Sequence, residues 1–576
     1  ATPVDPNRHL FRIGSLSKTF TWILLMREVE AGRVQLNQPV NSYLPEALQV
    51  PAGGWSKPIR VIDLTGHAPG FEDQSLGSLF VGDPADLTSA AEFLRRHRPE
   101  RVREPGLFPT YSNYGTALAA EIVTRTARAP DFPTLVERDV LRPAGLSRTT
   151  FREPYPARQG LPAPLTGPMA DDFADGHRWT GGTFAKNRFE HIVHIAGVGG
   201  GSTTAADMTR YMTLLLNEGA LDGATIYGPR AAQAFRTPSI APIEGATQWR
   251  HGFMTTDLPG GFTGFGHGGA TLGFMTNLVV VPELGLGVFV STNTDTGRGL
   301  TTRLPRMLVE RFYANSAPVR LAGNPEWTQA NGGKYAGAYL GTRRTYGGLE
   351  GFVSRLNGYA KVSPTGDGYL AIQAGDATRL YAPTRTPGRF LAVDGSGPLL
   401  FDLDEGGKAA GWSAASGTQN FERAKGFDNP DLFNVLFLLT LVAAAATWIG
   451  AATRLGRVIR PTDHQALSNL VSLVVAALWL LSVGAFMIWG SGAMENAEIA
   501  VYQWPHWAVR TGSILALLAA IGTFMLALLL WPAWKSADRR GDGWSVFRKL
   551  RHTAAVLVWA LFSVTLAFWG ALSFWS

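Results

Sequence analysis

Four stretches in the last third of the chain, residues 432–453, 466–490, 511–532 and 553–575, contain no Asp, Glu, Lys or Arg. A helix rises ~1.5 Å per residue and a bilayer core is ~30 Å thick, so each stretch is long enough to cross one. Four such runs in succession are hard to bury in a water-soluble body, and they predict four transmembrane helices. Trp448, Trp489, Trp531, Trp534 and Trp575 fall near their ends, where indole rings favour the interface.

The loops between these runs set an orientation. The first carries Arg454, Arg457 and Arg460, and the third carries Lys535, Arg539, Arg540, Arg548, Lys549 and Arg551. The second has Glu495 and Glu498, with Arg510 at its far end. The positive-inside rule makes the first and third loops cytoplasmic, and an even number of spans puts the N-terminal region and Ser576 on the outer side. Residues 1–14 contain no signal peptide, so the export signal is expected to have been removed or to lie outside this chain.

The remaining residues exceed one compact domain, the whole chain being 576 residues long. The absence of cysteine excludes thiolate metal sites and a cysteine nucleophile, so nucleophilic chemistry must use an oxygen or an amine. The formal charge of +7 is explained in part by the membrane loops, and no basic run with interleaved aromatics suggests nucleic acid. Residues 19–32, 112–127 and 205–218 have helical patterning, whereas 276–281 and 286–292, joined through Pro282 and Gly285, read as a hairpin. These predict an α+β body with an antiparallel sheet over 1–318. Residues 325–424 contain short strand-like pieces (YGGLEGFV, GYLAIQA, TRLYAPT, RFLAV) and predict a small all-β barrel or sandwich. Joints are expected at 318–327 and 426–431, ahead of a membrane region at 432–575.

GSLSKTF at 14–20 places Ser15 and Lys18 at i and i+3, within reach across one helical face. A partly desolvated lysine has a lowered pKa and can take the proton of a serine hydroxyl, which is otherwise a weak nucleophile. The alternative is that Ser15 is a plain helix cap. PGLFPTYSNY offers Tyr111 and Asn113 before a helix, and FGHGGATLGF offers His267 ahead of Gly268, Gly269 and Ala270. A tyrosine beside a lysine can relay protons, an asparagine can orient an amide, and glycines let a strand approach a substrate. Each also has an ordinary structural reading as core aromatic, buried histidine or turn.

FRIGSLSKTFTW, PTYSNYGTALAAEIV and GHGGATLGF resemble, in order and spacing, the S-x-x-K, Y-x-N and K-T-G (or H-x-G) motifs of class C serine β-lactamases and their penicillin-binding and esterase relatives. GRVQLNQPVNSYLP, VIDLTGHAPGF, GLSRTTF, VGGGSTTAADMTRYM and NLVVVPELGLGVFVSTN extend the resemblance over roughly residues 7–315. Residues 325–424 resemble the β-rich domain that follows the catalytic body in many relatives. The resemblance implies a class C β-lactamase-like body, with Ser15 as acylated nucleophile, Lys18 as proton acceptor and Tyr111 as the partner base that later activates water. It further implies that Asn113 contacts a substrate amide, that His267 replaces the third-motif lysine, and that the Ser15 and Ala270 N–H groups form the oxyanion hole beside Gly268 and Gly269.

Two departures refine this reading. Histidine at 267 carries less charge near neutrality than lysine, which favours an esterase, amidase or peptidase over a dedicated β-lactamase. Only 14 residues precede Ser15, so either the chain is a fragment or its sheet lacks the family's N-terminal edge strands. His191 and His194 lack the carboxylate of a metal motif, and no metal, nucleotide or other cofactor is expected. The expected function is a serine hydrolase acting through an acyl-enzyme on a peptide, amide or ester. Its expected place is the bacterial inner membrane, with the catalytic domain on the periplasmic or outer side and the lipid bilayer as partner. The alternative is a penicillin-binding-type sensor that keeps a stable acyl adduct.

Overall fold

The computed structural model describes residues 3–239, 249–314, 321–414, 417, 419–454, 461–535 and 543–575. The expectations placed on Arg457, Arg460, Arg539, Arg540 and Ser576, and on 318–320 of the first joint, lie outside the described residues. The chain forms two compact units, the first from 1–336, 341–343 and 362–422 and the second from 337–340, 344–361 and 423–576.

In the first unit, helix α1 (Lys18–Glu30) is apolar almost all round, with Phe20, Trp22, Ile23, Leu24, Leu25, Met26 and Val29 buried. A helix with that pattern belongs inside a body, and α1 packs against α2 (Asn113–Thr126). Strands β1 (Met254–Asp257), β2 (Thr263–Ala270), β3 (Met275–Val281) and β4 (Leu286–Thr292) form an antiparallel sheet with β2 and β3 central. Leu286 pairs with Val281 across a turn closed by Gly285 at φ +58, a left-handed conformation that glycine adopts without strain. Side chains alternate along β3. Leu278 and Val280 join the α1 core, whereas Val279 and Val281 pack with Val309 of helix α4 (Arg298–Phe312) on the other face. Helix α3 (Ala205–Leu216) also lies on this sheet. Among the described residues no strand ahead of Ser15 joins it, and Phe11–Arg12 pairs instead with Ser202–Thr203.

Eight strands close a barrel: β5 (Gly337–Gly341), β6 (Tyr359–Pro364), β7 (Leu370–Ala374), β8 (Ala377–Pro383), β9 (Arg389–Ala392), β10 (Pro398–Leu403), β11 (Ala409–Ala414) and β12 (Asn420–Arg423). One strand-like piece is corrected. YGGLEGFV leads into helix α5 (Gly348–Asn357), in which Leu349, Phe352 and Arg355 fall three residues apart on one buried face.

In the second unit four helices are long and apolar enough to cross a membrane: α6 (Pro430–Ala452), α7 (Asp463–Glu495), α8 (Trp507–Lys535) and α9 (Val546–Trp569). Their outward faces carry large apolar side chains such as Leu438, Ile449, Leu481, Met487, Leu528 and Phe568, which water would penalise and lipid would not. Helix α5 packs on α9, and Arg355 pairs with Asp428 at 2.9 Å. Trp569 donates to the Phe427 carbonyl and stacks on Phe433 at 4.2 Å. Trp489, expected at an interface, is buried beside Leu349, Ala508 and Val509.

Candidate active site

Ser15 lies in a tight 3₁₀ turn, Gly14–Ser17, that feeds directly into α1, so Lys18 is the first residue of the helix rather than a full turn inside it. The turn places the Lys18 Nζ 3.0 Å from the Ser15 Oγ and 2.8 Å from the Val198 carbonyl oxygen, to which it donates. Lys18 is fully buried while Ser15 remains partly open to solvent. Burial, reinforced by the Arg343 cation and opposed by Asp73, holds the Lys18 ammonium well below the ordinary lysine range. The neutral amine is thereby favoured. While donating to Val198, it can turn its lone pair toward the serine hydroxyl.

Tyr111 ends the loop before α2, and its ring lies 4.9 Å from the Lys18 Nζ. Burial pushes the phenol above its usual range, while Arg343 and the Ser15 hydroxyl pull the other way. The protonated phenol is favoured at rest. Asn113 is the first residue of α2, two positions on from Tyr111, and is buried.

Strand β2 brings in the third motif. The His267 ring lies 6.1 Å from that of Tyr111, and its Nδ1 meets the Gly268 carbonyl. Burial, then the charge of Lys18, lowers its pKa to about 3, so the imidazole is neutral; among the described residues its Nε2 has no hydrogen-bond partner. Gly269 and Gly268 differ. A Cβ on Gly269 would stand 1.9 Å from the Ile13 carbonyl oxygen, whereas one on Gly268 would meet nothing nearer than 3.9 Å. Gly14, at φ +49, would clash in the same way with the Ala270 backbone at 2.8 Å. Two glycines thus seat the end of β2 directly against the turn that carries Ser15.

Two further residues surround Tyr111. His67, buried and at φ +51, stacks on the Tyr111 ring at 4.6 Å and touches Trp249 at 4.2 Å. Its Nδ1 accepts the Ser112 N–H at 3.2 Å, so the ring proton sits on Nε2. Burial and the nearby cations hold this histidine well below its usual range, and it is neutral packing beneath the tyrosine. Arg343, two residues past β5, lies with its guanidinium carbon 4.4 Å from the Tyr111 ring centre and pairs with Asp73 at 2.6 Å. Its side chain is 50% exposed, so it is a cation open to solvent at the mouth of the site. His67 sits in the VIDLTGHAPGF stretch, which signalled the family without a role for that residue; Arg343 had no sequence signal beyond an arginine pair after a strand-like run.

His191 and His194 belong to the scaffold. His191 lies 3.6 Å from Glu153, which also holds Arg12 at 2.5 Å, and His194 meets the Ser78 carbonyl.

Residues 1–310 match the beta-lactamase family. The chain belongs to that family. Among curated relatives of this beta-lactamase-family chain, an uncharacterized protein of Mycobacterium tuberculosis is 27% identical over 275 residues, 42% of this chain and 62% of the relative. Penicillin-binding protein 4 of Amycolatopsis lactamdurans is 24% identical over 57% of this chain and 84% of its own. The D-alanyl-D-alanine-carboxypeptidase/endopeptidase AmpH of Escherichia coli is 23% identical over 48% and 69%. The octameric penicillin-binding protein homologue from Pyrococcus abyssi, a solved structure, is 17% identical with a TM-score of 0.45, covering 73% of this chain and 90% of that one. The chain thus spans less than two thirds of the length of the first relative. Within this beta-lactamase-family protein, Arg343 lies beyond the matched residues.

Proposed function

We propose that the body is a serine hydrolase with Ser15 as nucleophile and Lys18 as the base that activates it. The observation that carries this reading is a fully buried amine, its ammonium disfavoured, 3.0 Å from a partly exposed hydroxyl. In the first step the Ser15 proton passes to the Lys18 amine as the Oγ bonds to the carbonyl carbon. The resulting oxyanion is received by the backbone N–H groups of Ser15 and Ala270, which Gly14 and Gly269 bring together. Collapse expels the amine or alcohol, which takes up the proton that Ser15 gave to Lys18, relayed through the Tyr111 hydroxyl. Water then cleaves the acyl-enzyme by the reverse path, with Tyr111 as hydrogen-bonded relay and Asn113 orienting the amide. A preorganised donor pair of this kind supplies ~3 kcal/mol per donor.

The substrate class follows from the charges. His267 is neutral and cannot grip a carboxylate, whereas Arg343, pinned by Asp73, presents a fixed cation beside Tyr111. A peptide, amide or ester bearing a carboxylate near the scissile bond fits, and the peptide chemistry named for AmpH is consistent with it. The four apolar helices anchor the enzyme in the inner membrane. Arg454, Lys535, Arg548, Lys549 and Arg551 gather at the cytoplasmic end and leave the body outside.

Intact-mass spectrometry with a fluorophosphonate, a penicillin, a p-nitrophenyl ester and a D-Ala-D-Ala peptide tests the catalytic reading. The expected result is a mass increase at Ser15, irreversible with the fluorophosphonate and accompanied by continuing product release from the ester and the peptide, both lost in Ser15→Ala. Undiminished turnover in that variant refutes the assignment, and a stable adduct with no release from the ester or the peptide would make the protein a sensor.

A further inference from the structure

One end of the apolar bundle holds a second concentration of charge, distant in sequence from the catalytic motifs. Arg454 stands two residues beyond α6, and Arg548 and Arg551 lie in the first turns of α9. Both terminal nitrogens of Arg551 and the Nη1 of Arg454 fall within 3.1 Å of the point that a Cβ on Gly450 would occupy. The two guanidiniums therefore converge over the flank of α6 that has no side chain. Arg548 is held alongside, its guanidinium carbon 4.4 Å from the Trp544 ring centre and its Nη2 donating to the Asn469 Oδ1 of α7 at 3.0 Å. His552, whose ring lies 5.0 Å from that of Trp544, adds a buried Nε2 with no hydrogen-bond partner among the described residues.

All three arginines are half-buried, and among the described residues none of them pairs with a carboxylate. Like charges brought together in a partly desolvated setting repel one another, and no described carboxylate offsets that cost. Guanidinium forks match the oxygens of a phosphate group, which accepts two parallel N–H bonds from each. The surroundings fix the depth. Lys549 donates to the Trp534 carbonyl at 2.7 Å, and the Trp534 indole donates to Thr553 at 2.8 Å, as in an aromatic belt at headgroup level.

We propose that Arg454, Arg548 and Arg551 form a binding site for a phosphate oxyanion, supplied by the headgroup of an anionic lipid. Basic recesses between helix ends at the membrane surface recognise such headgroups, each basic residue contributing on a similar scale. The site rests on the bundle alone and stands or falls separately from the chemistry at Ser15.

The test uses the full chain in phosphatidylcholine nanodiscs, with phosphatidylglycerol added in one arm and inorganic phosphate in another. Native mass spectrometry reads retained lipid, and thermal melting reads stabilisation. Removing two of the three cations in R454Q/R551Q should weaken phosphatidylglycerol retention roughly 30-fold. R510Q, which removes a cation from the first turn of α8 at the opposite end, should leave retention unchanged. Stabilisation by inorganic phosphate alone, lost in the double variant, would support the same oxyanion site with free phosphate as the source. Should the double variant fail to fold, R454Q alone, beyond the helix end, should weaken retention roughly fivefold. Equal retention of phosphatidylglycerol by wild type and the folded variants would overturn the proposal.

Discussion

Adjacent glycines of the third motif should respond very differently to one added methyl group. In Gly269→Ala the new Cβ would lie 1.9 Å from the Ile13 carbonyl oxygen and 3.2 Å from the Leu16 nitrogen, both backbone atoms that cannot swing aside. Even a close C–H···O contact needs ~3.3 Å, so β2 must withdraw by roughly 1.4 Å. That displacement carries the Ala270 N–H off the position where it would meet an oxyanion. Misplacing a catalytic group by about 1 Å costs on the order of 100-fold, and losing an oxyanion donor costs on the order of 100- to 1,000-fold. The expected loss in kcat for a p-nitrophenyl ester is therefore about two to three orders of magnitude, with an overpacking cost to stability of about 1–3 kcal/mol. Gly268→Ala, whose Cβ meets nothing within 3.9 Å, should fold normally and lose far less. Steady-state hydrolysis, the rate of fluorophosphonate labelling at Ser15 and a thermal melt separate the two effects. Equal losses in the two variants, or full activity in a folded Gly269→Ala protein, would refute the seating of β2 against the nucleophile's turn.

Three more perturbations probe the rest of the first unit. Activity should rise with pH as the Lys18 ammonium gives up its proton, with a midpoint below the ordinary lysine value. His267 loses its proton at about 3 and contributes no limb near neutrality. His267→Asn should therefore preserve the shape of the pH–rate profile between about pH 5 and 8, and loss of an inflection near 6.5 would contradict this. Arg343→Gln should raise KM about tenfold or more for a carboxylate-bearing peptide, yet leave KM for a neutral ester within about twofold; parallel changes for both substrates would exclude carboxylate recognition. Glu153→Ala strands the buried Arg12 guanidinium and the Ile192 and Val193 N–H groups that Glu153 accepts. Such a break costs about 3–5 kcal/mol, read as a shift in denaturant midpoint at unchanged slope.

What could be read from the sequence was what local geometry determines. Ser15 and Lys18 meet because they stand three positions apart on one turn, and the four apolar runs are helices because length and lack of charge leave little else. The strands at 275–281 and 286–292 carry their pairing in the turn between them. Arg343 was illegible for the opposite reason: an arginine in a Gly- and Thr-rich turn looks solvated, and only tertiary structure carries it to Tyr111. YGGLEGFV suggested a strand through its glycines and aromatics, but burial of Leu349 and Phe352 on one face made it helical. Trp489 is covered by residues of neighbouring helices, a contact that only the tertiary structure supplies. Helix α1 showed the right period but an unexpectedly complete apolar girth, which is how its first residue came to be sealed from water.

The second unit is assembled from separated pieces of chain, residues 337–340, 344–361 and 423–576. A domain on a simple stalk is separated by one cut just ahead of its anchor, but a cut near residue 425 would not divide this chain into its two units. Severing the chain near residue 425 would strip helix α5 of the apolar bundle that covers Phe352, and of the Asp428 carboxylate that holds Arg355. The stretch left behind would still be threaded between β5 and β6. Removing the four helices by such a cut and preserving the contacts of α5 are thus incompatible, so the apolar bundle is built into the second unit rather than appended to it.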